Sequence, residues 1–121
     1  MSPKVLIVDD DEATREGLKL ILTNAGYTPI AAGTFQEGMQ ALHSEKPDFL
    51  IVDVRLGEYN GLQLVIETDK RIPAIVLTGY ADRVIEEDAR HEGAEYMVKP
   101  VEPSALLGLM DLMLASRDYP T

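Results

Sequence analysis

Three aspartates stand where short apolar segments of the chain end. Asp9 and Asp10 follow the run Val5–Val8, and Asp53 follows the run Phe49–Val52. If both runs are parallel strands, their carboxyl ends meet at one edge of a sheet, where open α/β sheets bind ligands. Carboxylates this close together repel one another unless a cation or a proton separates them. A hard divalent ion such as Mg²⁺ has the oxygen preference that fits such a cluster.

The carboxylate of Asp53 is also able to act as a nucleophile. It can attack a phosphorus atom and form an acyl phosphate, while a divalent ion neutralises charge on the transferred oxygens. Taken alone, Asp53 is better explained as a turn residue at the end of a strand. Asp11, the last member of the acidic run, is better explained as a loop residue that complements the positive N-terminus of the next helix.

Two further polar residues follow predicted strands. Thr78 follows Ala74–Leu77, and its hydroxyl is placed to hydrogen-bond an added phosphoryl group. Lys99 follows Tyr96–Val98, and its ammonium group is placed to pair with Asp53 or with a phosphoryl oxygen. Each has a simpler explanation, as a strand end or as a surface cation. The prediction rests on four strands that deliver acidic, hydroxyl and ammonium groups to one edge.

Predicted strands and helices alternate along the whole chain and would position these residues. The strands are predicted over Val5–Val8, Tyr27–Ala31, Phe49–Val52, Ala74–Leu77 and Tyr96–Val98. The helices are predicted over Glu12–Ala25, Phe35–Glu45, Leu62–Lys70, Arg83–Glu92 and Pro103–Ser116. Strict alternation implies right-handed crossovers and a five-stranded parallel sheet with helices on both faces, which is a doubly wound α/β fold.

Length and charge limit the classes of function. The 121 residues are enough for one domain, predicted over residues 1–117, with a frayed tail or the start of a linker over 118–121. The net charge of −10 opposes direct nucleic-acid binding and anionic membranes, and favours cations and basic partners. The absence of cysteine excludes disulfides and thiolate metal sites. No apolar stretch is long enough for a membrane span, so we expect a cytoplasmic location.

Together, Asp9-Asp10, Asp53, Thr78-Gly79 and Lys99-Pro100 resemble the response-regulator receiver domain of two-component signalling, over essentially the whole chain. The resemblance implies a flavodoxin-like sheet with strand order 2-1-3-4-5. It also implies a phosphorelay switch, in which Asp53 accepts a phosphoryl group from a sensor histidine kinase or a histidine phosphotransfer protein in the presence of Mg²⁺. Such a protein is a signalling receiver rather than an enzyme, and it assists only phosphoryl transfer and dephosphorylation at its own aspartate.

The resemblance also implies a role for each residue of the site. Asp10 and Asp53 would ligate Mg²⁺ directly, whereas Asp9 would bind it directly or through water. The backbone carbonyl of Arg55 would add a ligand, and Lys99 would bridge to the phosphoryl group. The peptide bond from this lysine to the following proline corresponds to a cis bond in the family.

Two surfaces follow from the same resemblance. Thr78 would move toward the phosphoryl group and Tyr96 would turn inward, which changes the face formed by the fourth helix, last strand and last helix. That face would control a partner, a fused output domain or a homodimer. The alternative for Tyr96 is a half-buried strand aromatic. The phosphodonor would dock at the start of the first helix, on Ala13, Thr14 and Gly17.

Three features depart from the family pattern. The segment Leu56–Gly61, after Asp53, lacks the proline that is common in the family, which predicts a more flexible loop. The stretch before Thr78 is short by about one helical turn, which predicts a short third helix. Arg55 and Tyr80 place bulky side chains beside the expected phosphoryl group. We expect them to hinder an attacking water and to slow self-dephosphorylation.

Two other functions use the same residue types. Haloacid-dehalogenase-like phosphatases also combine a strand-end Asp nucleophile with Mg²⁺, a Thr or Ser and a Lys. They need a second acid two residues after the nucleophile, where this chain has Arg55, which cannot act as a general acid. The other alternative is a pseudo-receiver that docks partners without accepting phosphate, which the altered loop after Asp53 leaves open.

Overall fold

Seven strands and five helices form the part of the chain that the computed structural model describes, residues 2–69 and 71–118. The strands are β1 Lys4–Val8, β2 Thr28–Ala32, β3 Phe49–Asp53, β4 Arg55–Leu56, β5 Tyr59–Asn60, β6 Ala74–Thr78 and β7 Glu95–Val98. The helices are α1 Glu12–Asn24, α2 Phe35–Glu45, α3 Leu62–Glu67, α4 Arg83–His91 and α5 Pro103–Asp118. None of these helices combines the length and the apolar composition that crossing a membrane requires.

The main sheet has five parallel strands in the order β2-β1-β3-β6-β7. The short strands β4 and β5 pair only with each other, as an antiparallel hairpin. When the hairpin is set aside, the order is the predicted 2-1-3-4-5, so the predicted doubly wound, flavodoxin-like fold is confirmed. The order reverses direction between β1 and β3, and a ligand site is expected beyond the carboxyl ends of these strands.

Side chains of the strands alternate between two apolar layers, one on each face of the sheet. One layer packs against α2, α3 and α4 and includes Leu6, Val8, Leu50, Val52, Leu64 and Val76. The other packs against α1 and α5 and includes Val5, Ile7, Leu18, Leu22, Phe49, Ile51, Ile75, Leu77, Leu106 and Met110. Because both faces are covered, the central strands are apolar at nearly every position, which is the pattern that identified them in the sequence.

Side chains cap the starts of three helices. The side chains of Asp11, Thr34 and Asp82 accept hydrogen bonds from backbone N–H groups in the first turns of α1, α2 and α4. Asp11 is therefore a helix cap, the simpler explanation for its place in the acidic run. Hydrogen bonds from the side chain and the backbone of Thr14 hold the pKa of Asp11 below its ordinary value.

Two helices end beside a glycine in the left-handed region, and a third ends earlier than predicted. Gly26 and Gly93 follow α1 and α4, with φ angles of +94° and +84°. Helix α3 was predicted to reach Lys70, a residue outside the described part of the chain, but it ends three residues earlier, at Glu67. Thr68 is already extended, with φ −75° and ψ 148°. The predicted short third helix is thus confirmed, since α3 has six residues.

The last helix is longer than predicted. It continues to Asp118, two residues beyond the predicted end at Ser116. The tail predicted over 118–121 therefore begins inside this helix, and residues 119–121 lie outside the described residues. The division between domain and tail stays a prediction.

Gly61 is fixed by a close approach between the hairpin and β3, and its replacement tests this packing. A Cβ at Gly61 would overlap the backbone carbonyl oxygen of Asp53 and lie 2.9 Å from Val52 Cγ2. The Gly61 N–H also donates to the Val54 carbonyl over 2.8 Å. We expect Gly61→Ala to lower the free energy of unfolding by about 1–3 kcal/mol, measured by denaturant titration.

Gly108 of α5 provides the matched control. A Cβ there has no other atom within 4 Å, so Gly108→Ala tests helix propensity alone. We expect this variant to gain up to about 1 kcal/mol. A Gly61→Ala protein as stable as the parent would show that the hairpin does not approach β3 so closely.

Candidate functional site

Three carboxylates meet beyond the carboxyl ends of β1 and β3. Asp9, Asp10 and Asp53 each offer one oxygen, and these oxygens lie within 4.8 Å of one another. Asp9 and Asp53 are buried, with 0% and 7% of their surface exposed, whereas Asp10 is exposed. The parallel pairing of β1 with β3 causes this proximity, because Val8 and Val52 are register partners and an aspartate follows each of them.

Lys99 supplies a positive charge to this cluster from the end of β7. Its Nζ lies 2.6 Å from Asp53 Oδ2 and 2.8 Å from Asp9 Oδ2. The peptide bond to Pro100 is cis, as the resemblance implies. Burial by itself lowers the pKa of Lys99, but contact with Asp53 and Asp9 outweighs burial, and the pKa is raised above its ordinary value. The ammonium group is therefore charged at neutral pH.

The two oxygens of Asp9 have different partners. Oδ1 accepts from the Asp11 N–H over 2.9 Å, whereas Oδ2 forms the ion pair with Lys99 Nζ at 2.8 Å. Burial raises the pKa of Asp9 above its ordinary value, against the opposing effect of Lys99. A buried carboxylate oxygen with one such contact keeps a lone pair for a metal ion or a metal-bound water. The donor set thus fits a hard divalent ion such as Mg²⁺.

Both oxygens of Asp53 are held in place. Oδ1 accepts from the Arg55 N–H over 3.0 Å, and Oδ2 accepts from Lys99 Nζ over 2.6 Å. The N–H of Arg55 therefore lies beside the carboxylate, and the ligand role of the Arg55 carbonyl stays a prediction. The guanidinium carbon of Arg55 lies 5.4 Å from the centroid of the Tyr80 ring, in a cation–π contact. The two bulky side chains, which follow the ends of β3 and β6, thus contact each other.

A chain of hydrogen bonds connects Thr78 with the start of α4. The Thr78 hydroxyl donates to the Tyr80 carbonyl over 3.1 Å, and the Tyr96 hydroxyl donates to the same carbonyl over 3.2 Å. The Asp82 N–H donates to the Tyr96 hydroxyl over 2.8 Å. Asp82 is the cap of α4. The loop between β6 and α4 therefore connects Thr78 and Tyr96 with the start of this helix. The sequence suggested Thr78 and Tyr96 but gave no sign of the carbonyl between them.

The segment after Asp53 is a hairpin rather than the flexible loop that was predicted. Strands β4 and β5 flank Gly57-Glu58, and Gly57 has a φ of +62° at the first central position of the turn. The Tyr59 ring stacks on Phe35 of α2 with 4.6 Å between centroids. The Gly57 N–H reaches Asp10 Oδ2 over 3.4 Å. A glycine at the start of a two-residue turn is the sequence signal that could have predicted this hairpin.

The three predicted docking residues border one cleft. Ala13, Thr14 and Gly17 of α1 form one side, and Lys99 and Pro100 form the other, around a volume of about 270 Å³. The cleft therefore borders the residue that pairs with Asp53. The structure thus brings the predicted docking residues next to the predicted phosphoacceptor.

Comparison with known families identifies the fold and the site together. The family model of the response regulator receiver domain matches residues 5–111. This chain belongs to that family. The match includes every site residue predicted from the sequence, and the resemblance inferred there is confirmed. Receiver domains are signalling modules rather than classical enzymes.

Known relatives of this receiver domain are mostly longer proteins. The transcriptional regulatory protein GlrR of Escherichia coli is 35% identical over 111 residues, which are 88% of this chain and 25% of GlrR. The transcriptional regulatory protein PdtaR of Mycobacterium tuberculosis is 35% identical over 116 residues, 93% of this chain and 57% of PdtaR. This receiver domain thus spans between a quarter and just over half the length of these relatives.

A solved structure supports the same assignment at the level of the fold. The crystal structure of a CheY-like response regulator receiver domain protein from Methanospirillum hungatei JF-1 superposes with a TM-score of 0.91. The two chains are 30% identical, and the superposition covers 98% of each. The backbone of this receiver domain is therefore typical of its family.

Repulsion among the three carboxylates predicts an effect on stability. Asp10 belongs to the cluster, but Lys99 pairs with Asp9 and Asp53, so Asp10→Asn removes repulsion without breaking these ion pairs. In metal-free buffer we expect this variant to gain about 1 kcal/mol of unfolding free energy. Mg²⁺ should stabilise the parent, because a ligand of the folded state shifts the unfolding equilibrium, and should stabilise Asp10→Asn much less.

The control removes one exposed carboxylate elsewhere. Glu87 lies on α4, and Glu87→Gln changes the net charge by the same amount as Asp10→Asn. We expect it to leave both the metal-free stability and the Mg²⁺ response near those of the parent. Equal Mg²⁺ responses in the parent and in Asp10→Asn, measured by thermal unfolding, would argue against a metal site on Asp10.

Proposed function

We propose that this receiver domain is a phosphorelay switch in which Asp53 accepts a phosphoryl group from a histidine of a sensor kinase or a phosphotransfer protein. The observation that carries the proposal is the placement of Asp53 among two other carboxylates and the ammonium group of Lys99. In the reaction an Asp53 oxygen attacks phosphorus, the new P–O bond forms and the P–N bond to the donor histidine breaks. The histidine leaves with the electron pair and takes up a proton.

The carboxylates of Asp9, Asp10 and Asp53 would hold Mg²⁺, and the Arg55 carbonyl would complete the protein ligands. When bound, the ion supplies positive charge to the oxygens of the transferred group. The closeness of the three carboxylate oxygens, within 4.8 Å of one another, supports this assignment. Lys99 would keep its charge and change partner, from Asp53 Oδ2 to an oxygen of the phosphoryl group.

The readout of phosphorylation would begin at Thr78. Its hydroxyl now donates to the Tyr80 carbonyl, and we propose that it turns to a phosphoryl oxygen once Asp53 is modified. The Tyr80 carbonyl then keeps only the Tyr96 hydroxyl as a partner in this network. Because Tyr96 also accepts from the cap residue Asp82, movement of this loop changes the start of α4.

The output surface would be the face formed by α4, β7 and α5. Each of these elements exposes a large apolar side chain: Val84 is 64% exposed, Val98 38% and Leu112 69%. Exposed apolar residues on a charged protein favour a protein partner, which here would be an output partner or a second copy of this domain. The net charge of −10 argues against direct binding of nucleic acid by this chain.

The phosphodonor would approach the cleft between α1 and Lys99. Ala13, Thr14 and Gly17 border it, and Lys99, which pairs with Asp53, lies on the opposite side. A sensor histidine kinase or a histidine phosphotransfer protein would place its histidine at this opening. The cleft thus gives the proposed partner a docking position beside the acceptor.

Intact mass spectrometry tests the acceptor. Incubation with Mg²⁺ and acetyl phosphate should add the mass of one phosphoryl group to the parent, because Asp53 is held beside the proposed metal site and Lys99. Asp53→Asn should gain no mass, and chelation of Mg²⁺ should abolish the addition to the parent.

Three outcomes separate the functions that use these residue types. Addition that depends on Asp53 supports the receiver. Turnover of acetyl phosphate without a stable adduct would indicate a phosphatase. Neither addition nor turnover would indicate a docking module that does not accept phosphate.

The contact between Arg55 and Tyr80 predicts a slow loss of phosphate. The two side chains contact each other and follow the ends of β3 and β6, and we propose that they exclude the water that would hydrolyse the acyl phosphate. We expect the double variant Arg55→Ser, Tyr80→Ser to lose its phosphoryl group about tenfold faster than the parent, which corresponds to about 1.4 kcal/mol in the barrier. The decay is followed by intact mass after the donor is removed.

Arg83→Ser serves as the control for charge, because Arg83 is an exposed cation on α4. Its decay rate should match that of the parent. If the double variant decays no faster than the parent, the two side chains do not shield the site.

A further inference from the structure

We propose that Arg15 is a positioning residue of the acidic site, which fixes the peptide unit that joins Asp9 to Asp10. The inference rests on the proposed metal-binding role of these two aspartates. Arg15 belongs to α1 and is partly buried. Its Nη1 donates to the Asp9 carbonyl oxygen over 2.8 Å. The guanidinium thus holds the backbone behind the carboxylates rather than the carboxylates themselves.

Planarity of the peptide unit explains why this contact matters for Asp10. The carbonyl of Asp9 and the N–H and Cα of Asp10 lie in one plane, so fixing the carbonyl also fixes the direction in which Asp10 leaves the strand. The rest of Asp9 is already anchored, since its N–H donates to the Ala32 carbonyl and its Oδ1 accepts from Asp11. Arg15 supplies the remaining restraint on this peptide.

Asp10 itself has little else to hold it. Its side chain is exposed, and the hydrogen bond that it accepts from the Gly57 N–H is long, at 3.4 Å. The position of its carboxylate therefore depends on the backbone, and through the backbone on Arg15. Some residues orient a metal ligand without contacting the ion, and mutating them commonly lowers the metal affinity.

The backbone of Gly33 lies close to the Arg15 guanidinium. A Cβ at Gly33 would lie 3.1 Å from Arg15 Nη1 and 3.4 Å from its Cζ, which is closer than ordinary contact. The Glu37 side chain accepts from the Gly33 N–H over 2.8 Å and keeps this loop in place. The Arg15 guanidinium thus lies between the end of β1 and the loop after β2. Any side chain at position 33 would narrow this space.

Titration calorimetry with Mg²⁺ on the unphosphorylated protein tests the proposal. Arg15→Met keeps the aliphatic length but removes the donor, and we expect its dissociation constant for Mg²⁺ to rise about tenfold. Arg15→Lys keeps one cationic donor and should recover part of the affinity. The rate of phosphorylation by acetyl phosphate should fall at low Mg²⁺ and approach the parent rate at saturating Mg²⁺.

A second variant reaches the same contact without changing Arg15. Gly33→Ala should shift the guanidinium by a few tenths of an ångström and weaken Mg²⁺ binding in the same direction, by less than Arg15→Met does. Gly108→Ala, which adds a Cβ in open space on α5, is the matched control and should bind Mg²⁺ as the parent does. Thermal unfolding in metal-free buffer shows whether each variant is folded.

The outcomes distinguish this proposal from the function on which it rests. If Arg15→Met is folded and its Mg²⁺ affinity lies within about twofold of the parent value, Arg15 has only a structural role and the proposal is overturned. If Arg15→Met does not fold, Arg15→Lys and Gly33→Ala decide. If the parent binds no Mg²⁺ and accepts no phosphoryl group, the proposed function itself fails, whatever the variants do.

Discussion

The charge imbalance at the carboxyl ends of β1 and β3 is the constraint on which the rest of the site depends. Parallel pairing places the carboxylates of Asp9, Asp10 and Asp53 within 4.8 Å of one another, and among the described residues one ammonium group, that of Lys99, pairs with two of them. The buried apolar strands cannot move apart to relieve the repulsion without opening both core layers. Added positive charge can relieve it. The chemistry proposed for Asp53 uses such charge, because the proposed Mg²⁺ would supply it.

This local electrostatic arrangement connects to the surface through a short polar path. Thr78 and Tyr96 both donate to the Tyr80 carbonyl, and Tyr96 also accepts from the cap of α4. A hydroxyl cannot donate its single proton to a carbonyl and to a phosphoryl oxygen at the same time. A new acceptor at Asp53 therefore changes the balance of hydrogen bonds at the start of α4. The hairpin β4–β5 also borders this site, because the Gly57 N–H in its turn donates to Asp10.

Most of the fold could be predicted from the sequence, because strands covered on both faces are unbroken apolar runs and helix starts carry side-chain caps. The cluster of carboxylates with Lys99 could also be predicted, because each of these residues follows a predicted strand. The hairpin was not foreseen, since its stability includes the stacking of Tyr59 on Phe35, a contact between distant segments. Arg15 was missed for a similar reason, because its partner is a backbone carbonyl and carries no sequence signal. The two extra residues of α5 were missed because the sequence has no clear stop signal at this helix end.

The most direct test of this account asks whether charge at Asp53 is read at α4 through Thr78. Amide chemical shifts can be measured by NMR with Mg²⁺ and beryllofluoride, which mimics a phosphoryl group on an aspartate. Binding of Mg²⁺ and beryllofluoride should shift the amide signals of Arg55, Tyr80 and Asp82 in the parent. In Thr78→Ala, the Arg55 amide beside Asp53 should still shift, whereas the Asp82 amide should respond much less. An Asp82 amide that does not move in the loaded parent, or that moves equally in both proteins, would contradict it.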